Sequence, residues 1–201
     1  WEDAVIKYDQ GIHLNWPSPY TFGRWWLGED RGLKANTNYS KQIKDLKNFF
    51  DKSKANMNIE NSMNLKSNAM KTVLNGETTV YLYADDEKEI VDGVTFLKSF
   101  GIDKIVIVGA TESKNQLNFI KLNNIPVVVK QPYRFPQSVD SDPMETFAIA
   151  KKMLDAGILV SIDPTGTASA RVSIRNLPFY AGSFSSFGID KEVALSMITH
   201  N

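Results

Sequence analysis

The sequence predicts an α/β fold of consecutive parallel strand–helix units, and three observations predict it. Four short segments, 78–84, 104–108, 125–130 and 158–162, are apolar and rich in β-branched residues. Stretches with apolar residues at helical spacing separate them. Helix stops and starts punctuate the series at Gly101, Gly157 and Asp142-Pro143. Strands that are continuously apolar are buried on both faces, which is how a parallel sheet reads. Their connections are then right-handed crossovers. Such units in a row make half of a (β/α)8 barrel or part of a doubly wound sheet.

The totals agree with this reading and exclude several classes of function. The chain has 201 residues, whereas a complete (β/α)8 barrel takes about 250. Hydrophobic residues make up 42%, as in a globular protein rather than a disordered one. Basic and acidic residues balance at 23 each, so no general electrostatic pull on nucleic acid or on an acidic membrane is expected. Cys is absent, which excludes disulfides and thiolate metal sites. No apolar run reaches the roughly 18 residues of a membrane span. The ends, Trp1 without a preceding Met and Asn201 directly after an amphipathic stretch, read as cut from a longer protein.

In order along the chain, residues 1–77 form an aromatic-rich, mainly helical segment expected to pack on the rest. All four Trp residues lie there: Trp1, Trp16, Trp25 and Trp26. Trp16-Pro17-Ser18-Pro19 cannot continue a helix, so 1–38 reads as loops with short elements. Ile43, Leu46 and Phe50, widened by Phe49, predict a helix over 39–55 with lysines on its solvated side. A shorter helix over 62–74 stops at Asn75-Gly76. Residues 78–201 carry the four βα units. The strand at 78–84 is followed by a helix over 86–100, with Ile90, Val94 and Leu97 on one face. The strand at 104–108 is followed by a helix over 112–122, with Leu117 and Ile120 inward. After the strand at 125–130 comes a longer loop, 131–141. Asp142 then caps a helix, with Pro143 at its first position and Glu145 at its third. The strand at 158–162 precedes helices near 177–187 and 190–199.

In a half barrel or a doubly wound sheet, chemistry belongs at the carboxyl ends of the strands. That rule selects Tyr83, Ala84 and Asp85; Gly109, Thr111 and Glu112; Lys130, Gln131, Tyr133 and Arg134; and Asp163, Thr165 and Gly166. Arg134 and Lys130 suit an anionic substrate group at the mouth, or are solvated loop charges. Glu112 reads as a helix-start carboxylate favoured by the dipole. Gly166 between Thr165 and Thr167 is too sparse for a phosphate cradle.

Three stretches together carry a family resemblance. The first is Thr79-Val80-Tyr81-Leu82-Tyr83-Ala84 before an acidic helix start. The second is 105–112 followed by Asn124-Ile125-Pro126-Val127-Val128-Val129. The third is Asp142-Pro143, then Ala156-Gly157-Ile158-Leu159-Val160-Ser161-Ile162-Asp163, Arg175-Asn176-Leu177-Pro178-Phe179-Tyr180-Ala181-Gly182, Phe187-Gly188 and 194–199. In this order and spacing they resemble the imidazolonepropionase-related branch of the metal-dependent amidohydrolases. The resemblance implies that the parallel βα units form about half of a TIM (β/α)8 barrel, its fifth through eighth strands. The first strand, with its His-x-His pair, would then lie upstream. It further implies a small-molecule substrate and hydrolysis of C–N bonds in cyclic amides. A divalent, zinc-type metal would lower the pKa of its bound water. The implied partners are the remainder of the same barrel and, through exposed strand edges, a second copy of the chain.

Residue by residue, the family pattern is only partly present. Where the family ends its fifth strand in His, this chain has Tyr83; where it ends its sixth in His, it has Gly109, with Val108 and Ala110 beside it equally inert. Asp163 stands where the family's metal-binding, proton-accepting Asp follows the eighth strand, and it equally reads as the cap of the turn before Pro164. Tyr83, Arg134 and Arg175 are the candidate substrate-binding residues; Arg175 either faces substrate or pairs with a carboxylate inside the protein. The only histidines, His13 and His200, read as structural or exposed, with Asn15 where a His-x-His pair needs its second imidazole. The zinc-type metal is therefore expected to be absent from this chain, and the isolated chain to hydrolyse nothing. Two functions stay open: part of a working hydrolase whose metal is held mainly by upstream histidines with Asp163, or a degenerate binding or scaffold domain. An unrelated, flat doubly wound domain that binds a small ligand is a third reading.

Overall fold

The computed structural model describes residues 10–30, 32–57, 64–130, 142–164 and 174–201. Its elements are β1 (Gly11–Asn15), β2 (Tyr20–Phe22), a 3-10 turn (Trp25–Leu27), β3 (Leu33–Ala35), α1 (Tyr39–Ala55), α2 (Leu65–Ala69) and α3 (Lys71–Leu74). There follow β4 (Thr79–Ala84), α4 (Glu87–Ser99), β5 (Ile105–Gly109), α5 (Leu117–Leu122), β6 (Val127–Lys130), α6 (Glu145–Asp155), β7 (Val160–Asp163), α7 (Leu177–Ser186) and α8 (Lys191–Thr199). Five strands share one sheet in the order β1-β4-β5-β6-β7, while β2 and β3 make a separate antiparallel pair. Strands β5, β6 and β7 run parallel, with Ile107 opposite Val127 and Val127 opposite Val160. The predicted α/β class and the parallel order of the units thus hold. Strand β1 is new, since Gly11–Asn15 lies in a part read as mostly loops.

The chain forms two compact units, 1–82 with 92–105 and 83–91 with 106–201. In the first, an aromatic core gathers around α1 and α4. The Phe50 ring lies 5.1 Å from those of both Phe96 and Phe100, and Trp16 meets Phe96 edge-on at 5.4 Å. Trp16 is buried, as its large apolar area favours. Its indole N–H donates to the Tyr39 hydroxyl at 3.0 Å, and that hydroxyl donates to Asp92 at 2.6 Å. The polar edge of a buried indole is satisfied in this way, and 10–18 is tied to two helices by one relay.

In the second unit, α6 packs on α7 through Phe147, which stacks on Phe187 at 5.1 Å and tilts against Phe184 at 5.8 Å. The Asp142 side chain accepts the Met144 N–H at 2.9 Å and its carbonyl the Glu145 N–H at 2.9 Å. The helix begins at Glu145 with Met144 as its N-cap, so Asp142 is not the cap expected from sequence but holds the turn just before the helix. Helix α5 is shorter than expected, because 111–116 forms turns and the helix begins at Leu117. The Asn115 side chain donates to Glu87 at 2.6 Å within this stretch. Glu112 accordingly lies well before the helix and is not a helix-start carboxylate.

Burial of β6 and β7 corrects one expectation. Val127, Val129, Val160 and Ile162 are buried, whereas Val128, Lys130, Ser161 and Asp163 on the other face are half-buried. One face of these strands is core and the other is partly open.

Candidate functional site

The half-open face carries polar side chains at the carboxyl end of the sheet, where ligands of parallel α/β sheets bind. Strand β4 alternates in the same way, so that Tyr83 is half-buried beside buried Leu82 and Ala84. The Lys130 ammonium lies over the Tyr83 ring, 5.2 Å from its centroid, a cation–π contact. Lys130 and Asp163 are register partners on β6 and β7. Side chains of paired residues in parallel strands leave on the same face, so Asp163 stands beside Lys130. Of the residues predicted from sequence, Tyr83 and Asp163 thus share the strand tips with Lys130. Arg175 is exposed in the turn before α7 and makes no hydrogen bond or ion pair among the described residues. Arg134, Tyr133, Gln131, Thr165 and Gly166 lie outside the described residues.

Between Tyr83 and Lys130 stands the tip of β5, where the backbone closes in on itself. Gly109 has φ +121°, and a Cβ placed there would sit 2.6 Å from Asp85 Oδ1 and 2.8 Å from the Ala84 carbonyl oxygen. The next residue, Ala110, has φ +52° and donates its N–H to that same carbonyl at 2.8 Å. Thr111, buried, donates its hydroxyl to Asp85 Oδ1 at 2.9 Å, and the Glu112 N–H donates to the Asp85 carbonyl at 3.1 Å. The buried Glu89 carboxylate accepts the N–H groups of Asp85 at 2.9 Å and Asp86 at 3.3 Å. Together these bonds lace the loops after β4 and β5 and hold the tip carrying Tyr83. Sequence reasoning missed this lacing; its only trace was the run Gly109-Ala110-Thr111 after an apolar strand.

No family model and no curated protein matches the sequence. Among solved structures, the chain is similar to the amidohydrolase from Thermotoga maritima MSB8, with a TM-score of 0.71 and 18% identity. The match covers 98% of this chain and 52% of that one. The chain shares the fold of about half of that structure. It spans about half the length of the amidohydrolase it matches.

Among the described residues, no three His, Cys, Asp or Glu residues come together to hold an ion. His13 is an exposed residue of β1, stacked on Tyr81 at 5.0 Å, and His200 is the exposed C-terminal cap of α8. Asp163 is the register partner of Lys130. Among the described residues, the donors at these tips do not make up a divalent-metal site.

Proposed function

We propose that this chain forms the later half of an amidohydrolase-type (β/α)8 barrel of the imidazolonepropionase-related branch, whose strand tips bind a small molecule without a catalytic metal. Strands β4 to β7 stand as the fifth to eighth of that barrel. The observation that carries the metal-free reading is Gly109. It stands where the resemblance calls for an imidazole, in a left-handed conformation with a carbonyl oxygen 2.8 Å from any added Cβ. Tyr83 stands in place of the other imidazole. The small-molecule part of the proposal is supported by the half-open face bearing Tyr83, Lys130 and Asp163 at the carboxyl edge. The test is metal content of the purified full-length protein by plasma mass spectrometry. Less than about 0.1 ion per chain is expected, since a metal held by a preformed site is retained on purification.

A second reading, a working cyclic-amide hydrolase, is favoured by one observation: a carboxylate, Asp163, stands at the tip of β7 where the resemblance places the metal-binding proton acceptor. Stoichiometric metal, together with turnover of hydantoin or imidazolone substrates that is lost on Asp163→Asn, would establish that reading and overturn the first.

A further inference from the structure

The tip of β6 carries a cation that no described residue neutralises. Lys130 is half-buried on the partly open face. Its side chain crosses β5, which lies between β6 and β4, and its ammonium rests 5.2 Å from the Tyr83 ring centroid. Strand β5 ends in Gly109, with Ala110 after it, and two such small residues leave room for the crossing. Among the described residues the ammonium makes no ion pair or hydrogen bond. Asp163, the register partner of Lys130, has an interaction of its own in the protein and is not the counter-ion. A ring face attracts a cation but carries no full charge. A part-buried ammonium held there has given up water without gaining an anion, and binding one removes that cost. The ring covers one side of a group with three donors, so the others are left for a ligand. The ring contact also orders a flexible side chain in advance, which lowers the entropic cost of binding.

The surroundings select the kind of anion. Beside the ammonium lie the Tyr83 ring and, on the same face of β6, half-buried Val128. A single cation on an apolar floor suits a singly charged head on an apolar body. A phosphate brings up to about two negative charges at neutral pH, more than one lysine neutralises, and the surplus would be desolvated.

We infer that these strand tips bind a small monocarboxylate, its carboxylate on the Lys130 ammonium and its apolar body against Val128 and the Tyr83 ring. This rests on the reading of the tips as a metal-free small-molecule site and names the ligand class. Binding is measured on the full-length protein by isothermal titration calorimetry. The probes are butyrate, phenylacetate and 3-phenylpropionate, each against its neutral primary amide, and inorganic phosphate. At least one carboxylate should bind about tenfold or more tightly than its amide, the difference expected from one charge-assisted hydrogen bond. Lys130→Met should remove that difference, and Lys130→Arg, which keeps the cation, should retain most of it. Tyr83→Leu, which deletes the ring, should weaken carboxylate binding about two- to fivefold. Thermal melts followed by circular dichroism establish that each variant is folded, and Lys130→Gln serves if Lys130→Met is not.

If no carboxylate binds at about 10 mM, or if every amide binds as tightly as its acid, the inference is overturned. A preference for the acid that survives in folded Lys130→Met overturns it too, since the anion then sits elsewhere. Phosphate binding more tightly than every carboxylate, and lost in Lys130→Met, replaces the carboxylate with a phosphate ester. The reading beneath fails separately: stoichiometric divalent metal sinks that reading, whereas lack of any acid preference in a metal-free protein sinks this inference alone.

Discussion

At Gly109, three effects act on any added side chain, and their signs differ. Replacing Gly by Ala stiffens the unfolded chain, which by itself stabilises by about 0.4–1 kcal/mol. Against that, φ +121° lies where L-residues are strained, at about 1–3 kcal/mol. The new methyl also meets a backbone carbonyl, that of Ala84, at 2.8 Å and the Asp85 carboxylate at 2.6 Å. The carboxylate can turn away only by giving up its bond from Thr111; the carbonyl cannot move without shifting β4. Overpacking of this kind costs about 1–3 kcal/mol. Gly109→Ala is therefore expected to destabilise by about 2–4 kcal/mol net, read from urea unfolding. A loss under about 0.5 kcal/mol would mean that the tip is slack. The residue type was legible in the sequence, but its conformation was not, because nothing local distinguishes a strained glycine from a neutral one. Tyr83 and Asp163 were legible because strand ends can be located from apolar runs; the Lys130–Tyr83 contact was not, since it joins residues 47 positions apart.

Among the elements, the helices and strands of 78–201 followed from periodicity and punctuation, while 10–38 did not. Gly11–Asn15 is short, has a glycine at its start and is followed by Pro17 and Pro19. Those are turn signals, and its strand character comes from pairing in the sheet, which is a tertiary effect. What fastens this part of the first unit is the relay from Trp16 through Tyr39 to Asp92. Tyr39→Phe deletes the hydroxyl and leaves a buried indole N–H and a carboxylate each short of a partner. Losing such a charged hydrogen bond and stranding a buried donor costs about 2–3 kcal/mol. We expect that loss in chemical denaturation of Tyr39→Phe. A double-mutant cycle with Asp92→Ala should give a coupling of about 1 kcal/mol or more. Additivity of the two substitutions would show that the relay contributes nothing jointly.

For the whole molecule, the sequence pattern of consecutive βα units is shared by a half barrel and a doubly wound sheet, so local signals could not choose between them. The observed order β1-β4-β5-β6-β7 keeps consecutive units adjacent, and 98% of this chain matches about half of a solved amidohydrolase. Metal dependence, in contrast, is a property of side chains converging from several strands, and fold similarity at 18% identity does not carry it. Linkage turns the question into a stability measurement. An ion at about a hundred times its Kd adds about 2.7 kcal/mol to the folded state. For a protein of this size or somewhat larger, that moves Tm by about 5–11 °C. Dialysis of the full-length protein against a strong chelator should therefore leave Tm unchanged to within about 1 °C, as should adding back zinc or manganese. A fall of several degrees on chelation, reversed by one of those ions, would mean that ligands outside the described residues complete a metal centre. Asp163 would then be acting as a metal ligand.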